Sequence, residues 1–498
     1  MNSLLNRPAW QLALGGGLIT GIAYQPWHFG FLAWIGLIPL LHVWLNQDAK
    51  ENARTGYVFG MTHNLVAFYW IGVNTGASFW VVLLSLIAAV LHLGIYWAAA
   101  GWVFGRVRAC GNGLALFPFL IVSMEWVRSF GVLGFPWGNM VLSQLDFLPL
   151  VQIMEVTGSY GVTLWVVLLN VILYILIQNF EPNKKLGLVY LILLLGLWFS
   201  GNSRMKEFND SPTNMGVAIL QPNIDPNAKW DFEKKEETIA YMDSLHAVAI
   251  ALNPDLILFP ETALPAYLRL NRRVRERIQS RVDSSGIPVL TGTVDRTKSP
   301  DGKKHYFNSS MFLTPNQKYI LYNKIHLVPF AEYVPLSGQI PSLNNLNFGQ
   351  GNFTPGSEYT VFEWKDTKFS NLICYESSIP KIVRKFIQQG AEMMTIQTND
   401  GWLGNSAGPY QHYDVARIRA IENRIPIVRS ANTGISGLIL ANGISIHEQI
   451  LGEMAVFKVT VPLGDPGSFY SRYGDVFAMI CFVIFLLLGP ILCLRKRF

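Results

Sequence analysis

Three residues in this chain have types that together could transfer an acyl group: Glu261, Lys324 and Cys374. Each follows a short apolar run of the kind that forms a buried strand. Leu256-Ile257-Leu258-Phe259-Pro260 leads into Glu261, Tyr319-Ile320-Leu321-Tyr322-Asn323 into Lys324, and Asn371-Leu372-Ile373 into Cys374. In α/β sheets reactive groups collect at strand ends, where rigid backbone meets loops. A thiol attacks only as thiolate. A carboxylate beside it can accept the proton and later return it to a leaving group. A buried ammonium stabilises the thiolate and the tetrahedral oxyanion that follows. Backbone N–H groups after the cysteine can complete an oxyanion hole, each donor contributing about 3–4 kcal/mol. Taken singly, Glu261 reads equally as an acid opening a helix, Lys324 as a solvated loop cation and Cys374 as a small core residue. The combination at three strand ends is what points to acyl chemistry.

The other cysteines are Cys110, Cys481 and Cys493, all outside residues 201–474. Cys374 therefore has no disulfide partner within its own domain, and no CxxC or zinc-type spacing occurs in the chain. No metal or diffusible cofactor is signalled. Reactivity is one reason to keep a lone thiol in a domain that faces an oxidising space.

The chain has 498 residues, of which 51% are hydrophobic and only 14% charged. Soluble domains carry about 25% charged residues, and the deficit is uneven. Residues 1–200 hold eight Lys or Arg and six Asp or Glu, whereas residues 201–474 hold 28 and 26. The first stretch is lipid-like and the second soluble-like. With a near-balanced soluble part, a nucleic-acid surface is not indicated.

Apolar segments near 9–26, 30–46, 56–75, 79–105, 114–130, 158–178, 185–201 and 475–494 read as membrane spans. The first has no small-residue cleavage site and runs straight into the next, so it is expected to remain as a span. Arg7, Lys50, Arg54, Arg106, Arg108, Lys184, Lys185 and Arg495-Lys496-Arg497 all fall on one side if both termini are cytoplasmic. The soluble part would then face a periplasm-like space. His63, His92, Glu125 and Arg128 lie in or beside spans. Glu125 and Arg128 are three residues apart and can pair on one helix face. Residues 131–160, with Gly134-Phe135-Pro136-Trp137 and Pro149, are expected to form a partly buried segment at lipid level.

From residue 215 strands and helices alternate. Val217–Leu220, Leu256–Phe259, Val289–Gly292, Ser310–Leu313, Tyr319–Tyr322, Ser370–Cys374, Met393–Gln397, Ile427–Ser430 and Gly437–Leu440 read as strands, and 232–252, 268–284, 379–389 and 410–424 as helices. The reading is one α/β domain. The expected divisions are 1–201 as a membrane domain of about seven helices, 202–474 as the catalytic domain, and 475–498 as a last span with a basic cytoplasmic tail. Residues 335–357 and 400–410 look like long loops suited to a lid over acyl chains.

At this point the chain resembles a known family. Residues 201–474 look like the nitrilase superfamily, and the whole chain resembles the bacterial apolipoprotein N-acyltransferases. The resemblance is carried by Gly134-Phe135-Pro136-Trp137, Gln221-Pro222-Asn223, Phe259-Pro260-Glu261-Thr262-Ala263, the run from Asn323-Lys324 through Glu332 to Pro335, Cys374-Tyr375-Glu376 and Asn399-Asp400-Gly401-Trp402. Ala331 stands where the family more often has glycine.

The resemblance implies an α-β-β-α sandwich joined to a polytopic helical membrane domain. It implies Glu261 as general base, Lys324 as thiolate and oxyanion stabiliser, and Cys374 as acylated nucleophile. Glu332 would orient Lys324, Tyr375 and Glu376 would line the site, and Trp230 and Asn399 would support it. The implied reaction moves an acyl chain from a membrane phospholipid through a thioester to the α-amine of a diacylglyceryl-modified apolipoprotein. It needs no metal, cofactor or nucleic acid and no more than a monomer, in a bacterial cytoplasmic (inner) membrane. A tethered amidase hydrolysing a small amide would use the same residues with water as acceptor, but one anchor would suffice for it. A transporter with an outer sensory domain would need a polar path through the spans, and only scattered polar residues are present. Headgroup and acyl-chain preference and lipoprotein clients are not encoded legibly.

Overall fold

The computed structural model describes residues 7–108, 113–207, 213–316, 318–335, 337 and 352–495, with side chains up to residue 489. Most of the loop at 335–357, with the lid expected there, lies outside the described residues, as do Cys110, the Cys493 side chain and Lys496–Phe498. The described chain divides into two compact units. One comprises 1–72, 79–206 and 473–498, the other 73–78 and 207–472.

The first unit is helical. Phe79–Arg108, Ser159–Gln178 and Phe180–Lys206 are long and apolar enough to cross a membrane, by length and composition. Ala9–Ile22, Gly30–Asn46 and Val476–Gly489 are shorter apolar helical stretches. Two expected spans are redrawn. The segment at 30–46 is broken into a tight turn, Gly30–Trp34, and a helix, Ile38–Asn46, with Pro39 in its first turn. The segment expected at 56–75 lies on a helix that starts earlier, Ala49–Phe68, because Asp48 caps it by accepting the Glu51 N–H at 2.8 Å.

Helices Ala49–Phe68 and Phe79–Arg108 approach closely through glycines. A Cβ at Gly101 would strike the carbonyl of Asn52, and one at Gly56 the carbonyl of Trp97. Residues 131–160 form consecutive short turns, and Trp137, Met140, Val141, Leu142 and Leu145 are buried there. Glu125 anchors this stretch. It accepts the Met140 N–H at 2.8 Å and the Thr163 hydroxyl at 2.6 Å, while Arg128 lies 3.9 Å away and donates to Asn139 at 3.0 Å.

The second unit holds, among the described residues, two six-stranded sheets. The first is ordered β12-β1-β2-β3-β4-β5, from Ala455–Leu463 (β12), Thr213–Gln221 (β1), Leu256–Leu258 (β2), Val289–Lys298 (β3), Lys304–Thr314 (β4) and Lys318–Asn323 (β5). The second is ordered β11-β10-β9-β8-β7-β6, from Ser445–Ile446 (β11), Gly437–Ile439 (β10), Ile427–Ala431 (β9), Met393–Thr398 (β8), Thr367–Ile373 (β7) and Phe362–Trp364 (β6). In each sheet three central strands run parallel, β1-β2-β3 and β7-β8-β9, and antiparallel strands flank them.

Side-chain alternation explains the layering. On β1, Met215, Val217 and Ile219 enter a core shared with Leu372 and Ile373 of β7 and Ile396 of β8. The intervening Ala218 and Leu220 pack on the other face, with Ile239 and Met242 of helix Phe232–Ala251 and Val274, Ile278 and Val282 of helix Arg272–Ser285. The last three recur every four residues, one stripe of an amphipathic helix. Strands β6, β11 and β12 were absent from the sequence reading. β12 alternates exposed and buried residues as a strand added beside β1.

Replacing Gly101 with valine should force the two glycine-faced helices apart and cost about 1–3 kcal/mol, the usual penalty of overpacking. A lowered unfolding midpoint in detergent, against an unchanged midpoint for Gly196→Ala, where a Cβ meets nothing within 4 Å, checks this.

Candidate active site

Glu261 lies just past β2. The chain continues beside β3, where the Gly292 N–H donates to the Pro260 carbonyl at 3.2 Å and the Ala263 N–H to the Gly292 carbonyl at 3.1 Å. A side chain at residue 292 would collide with the backbone of Glu261 and Thr262, so glycine is required for this approach. Thr262 is left-handed, at φ 45°.

Lys324 follows β5, tied by its N–H to the Asn308 carbonyl at 2.8 Å. Its ammonium lies 2.9 and 2.8 Å from the two oxygens of Glu332. Both groups are buried, as is Glu261. Asn308, on β4, ties them together: its amide donates to Glu261 at 2.7 Å and to Glu332 at 2.8 Å. The Val328 N–H fills the other Glu332 oxygen at 2.8 Å. Glu332 thus reaches Lys324 as expected, and Asn308 is a bridge the sequence did not announce. Its signal was a lone amide inside an otherwise strand-like run. Ala331 is not left-handed, so it needs no glycine; that conformation falls on Phe330, at φ 64°.

Cys374 opens a tight helical turn, Cys374–Ser378, directly after β7 and is itself left-handed at φ 52°. The residue is half-buried at a sharp strand-to-helix bend. Its carbonyl accepts the Ser377 hydroxyl at 2.9 Å and lies 3.1 Å from His412 Nε2. Behind it, His412 Nδ1 is 2.7 Å from Asp400, which Arg429 also contacts at 2.6 Å and the Thr398 hydroxyl at 3.0 Å. Ligand atoms of Cys374, Asp400 and His412 lie within 4.8 Å of one another. The Arg429 guanidinium already neutralises Asp400, which disfavours a cation there.

Glu376 differs from the expectation that it lines the site. It is fully buried, and its oxygens accept the N–H groups of Ile373, Ile325 and His326 and the Tyr322 hydroxyl, all within 3.1 Å. It fastens the Cys374 turn to the loop after Lys324. Tyr375 packs beside His326, ring centroids 5.8 Å apart. Trp230 and Asn399 line a cavity of about 480 Å³ together with Glu261, Asn308, Lys229 and Trp402. Asn399 accepts the Asn432 amide at 3.0 Å.

The electrostatics follow from burial. Burial pushes the Cys374 thiol up to about 12, with the Glu261 charge adding to it and Lys324 opposing. Burial raises Glu261, against Lys324 and the Asn308 amide. Burial works against the Lys324 ammonium, but Glu332, Glu261 and Cys374 outweigh it and hold its pKa above the ordinary lysine value. The resting site therefore holds a protonated thiol beside a lysine cation.

Residues 216–461 match the sequence model of the carbon-nitrogen hydrolases, and residues 16–172 that of the apolipoprotein N-acyltransferase N-terminal domain. An apolipoprotein N-acyltransferase of Geobacter metallireducens is 34% identical over 95% of this chain and 93% of its own length. One of Chlorobaculum tepidum is 31% identical over 100% and 98%. A mutant amidase of Nesterenkonia AN1, from the nitrilase superfamily, is 18% identical over 53% of this chain and 93% of its own, with a TM-score of 0.39. The matched models define the class: a carbon-nitrogen hydrolase domain joined to the N-terminal domain of the apolipoprotein N-acyltransferases. The chain belongs to the apolipoprotein N-acyltransferase family.

Because the thiol's pKa lies far above neutrality, it is protonated there, and its bare reactivity should rise steadily with pH. Iodoacetamide labelling of the Cys374 peptide, followed by mass, should be slower at neutral pH than for a free cysteine peptide and still climbing at alkaline pH. A plateau below neutral pH would contradict the thiol resting state.

Proposed function

We propose that this protein transfers an acyl chain from a membrane phospholipid to the N-terminal α-amine of diacylglyceryl-modified apolipoproteins, through a thioester on Cys374. The observation that carries the reading is the hydrogen-bonded cluster that joins Glu261 to Lys324 through Asn308 and Glu332 and fastens the Cys374 turn to the loop after Lys324 through Glu376, in a chain that aligns with named apolipoprotein N-acyltransferases over nearly its whole length.

In the first half-reaction Glu261 takes the Cys374 proton as sulfur bonds to the ester carbonyl carbon. Lys324 and backbone N–H groups at the Cys374 turn stabilise the oxyanion. The C–O bond breaks, and the lysophospholipid leaves with the proton from Glu261. In the second, the neutral α-amine attacks the thioester, Glu261 takes its proton, the C–S bond breaks and the thiol is re-formed. Glu332 orients Lys324, and Trp230, Tyr375 and Asn399 shape the approach to the carbonyl.

The same reading gives the chain eight spans, both termini in the cytoplasm and the nitrilase-type domain on the periplasmic side of a bacterial inner membrane. The placement of Lys and Arg in short loops supports it, and two lipid-anchored substrates require a site tied to the bilayer. The core shared by both sheets, with helices on an outer face, supports the four-layer sandwich. A monomer is sufficient.

Purified protein incubated with phospholipid alone should gain the mass of one acyl chain, removable by neutral hydroxylamine and absent from Cys374→Ala. A diacylated lipopeptide should discharge the adduct. Glu261→Gln should slow its formation about 10²–10⁴-fold, the usual contribution of a general base. Active, folded protein that forms no adduct overturns the phospholipid-donor mechanism and favours hydrolysis of a small amide.

A further inference from the structure

Lys229 is a buried cation that the steps above leave unused. It lies in the loop between β1 and helix Phe232–Ala251, 3% exposed, and lines the same cavity as Glu261. Its ammonium donates to the Thr262 carbonyl at 2.8 Å. Thr262 is the left-handed residue immediately after Glu261. A neutral carbonyl does not balance a buried ammonium, which needs an opposite charge nearby. Glu261 supplies it. The charge balance of the site points the same way. Lys324 is shared between Glu332 and Glu261, so Glu261 has no cation to itself unless Lys229 is counted. With Lys229 charged, the four groups sum to zero. Without it the cluster holds an excess negative charge, and a proton on Glu261 is the cheapest relief.

We propose that Lys229 is a positioning residue for the general base: its ammonium balances the Glu261 carboxylate and holds the Thr262 turn, so Glu261 stays ionised and free to take the Cys374 proton. This rests on the reading of Glu261 as base and Cys374 as nucleophile. Burial lowers Lys229 to about 8, with Glu261 holding it up. Lys229 is thus charged at neutral pH and loses its charge on the alkaline side. The other groups bearing on this balance are Lys324 and Glu332 past β5, Tyr267 after Glu261, and Tyr306 on β4.

The test uses the full chain in detergent and a short-chain p-nitrophenyl ester. Acylation of the Cys374 peptide is read by mass as a function of pH. Lys229→Gln keeps a hydrogen-bond donor for Thr262 but removes the charge; Lys229→Met removes both. Both variants should move the acid-side midpoint up by about one pH unit or more, the effect of losing a nearby opposite charge. Acylation just above the wild-type midpoint should fall about ten-fold, as one pH unit dictates. A Gln variant with the wild-type profile means that Lys229 only secures the turn, and overturns the proposal. A Met variant that keeps the wild-type midpoint overturns it as well, because it lacks both the charge and the hydrogen bond. A wild type whose Cys374 takes no acyl group defeats the nucleophile itself, and the proposal falls with it.

Discussion

A charge removed from water must find an opposite charge or several hydrogen bonds, because the desolvation penalty is several kcal/mol per ion. The second unit buries a dense set of such groups and pairs many of them with one another. Lys324 meets Glu332, Asn308 spans Glu332 and Glu261, and Arg429 with His412 encloses Asp400. Glu376 collects four donors from three segments. Each partner fixes the next, so few rearrangements are open to the site. Oriented groups of this kind stabilise transition-state charge without reorganising, which is why the pairing that tolerates burial also serves the chemistry.

Backbone geometry is the second constraint. Cys374, Thr262 and Phe330 are all left-handed without being glycine, at a cost of order 1–3 kcal/mol each. They sit at the ends of β7 and β2 and in the loop after β5, beside the three candidate catalytic residues. Hydrogen bonds hold them, some local and some from distant segments: Ser377 and His412 at the Cys374 carbonyl, Lys229 at the Thr262 carbonyl, and a Phe330 N–H donated to the Tyr333 carbonyl at 2.7 Å. Parallel central strands deliver Glu261 and Cys374 from their C-terminal ends, where bends of this sort can be accommodated.

The helical unit obeys the same rule in a different setting. Its buried Glu125 is occupied by Met140, Thr163 and Arg128, and the Asn170 amide donates to the Ala33 carbonyl at 2.8 Å. Outward it presents apolar side chains such as Leu84, Ile87, Ile95, Leu191 and Ile192. Glycines then permit the backbone contact that replaces hydrophobic driving force between helices in lipid.

Much of this was legible in the residues because it is local. Apolar runs bounded by turn residues located β2, β7 and β8, and the reactive residue types stood at the ends of such runs. Lys and Arg at the edges of apolar stretches suggested an orientation because charge and hydropathy act over short windows. What escaped were features created by distant chain segments. β12 carries a strand-like run of its own, Val456–Val461, but only pairing with β1 decides its place in the sheet. Asn308 and Lys229 are ordinary polar residues in their own neighbourhoods and gain meaning only when folding sets them against Glu261. Glu376 looked like a lining residue beside the nucleophile until Tyr322, Ile325 and His326 were seen to surround it. The sequence by itself determined which chemical groups were present and which stood at strand ends, since composition and periodicity are properties of neighbouring residues. Only the tertiary structure decided which charges face each other, because electrostatic pairing in a buried site depends on distances of a few ångströms between segments far apart in the chain.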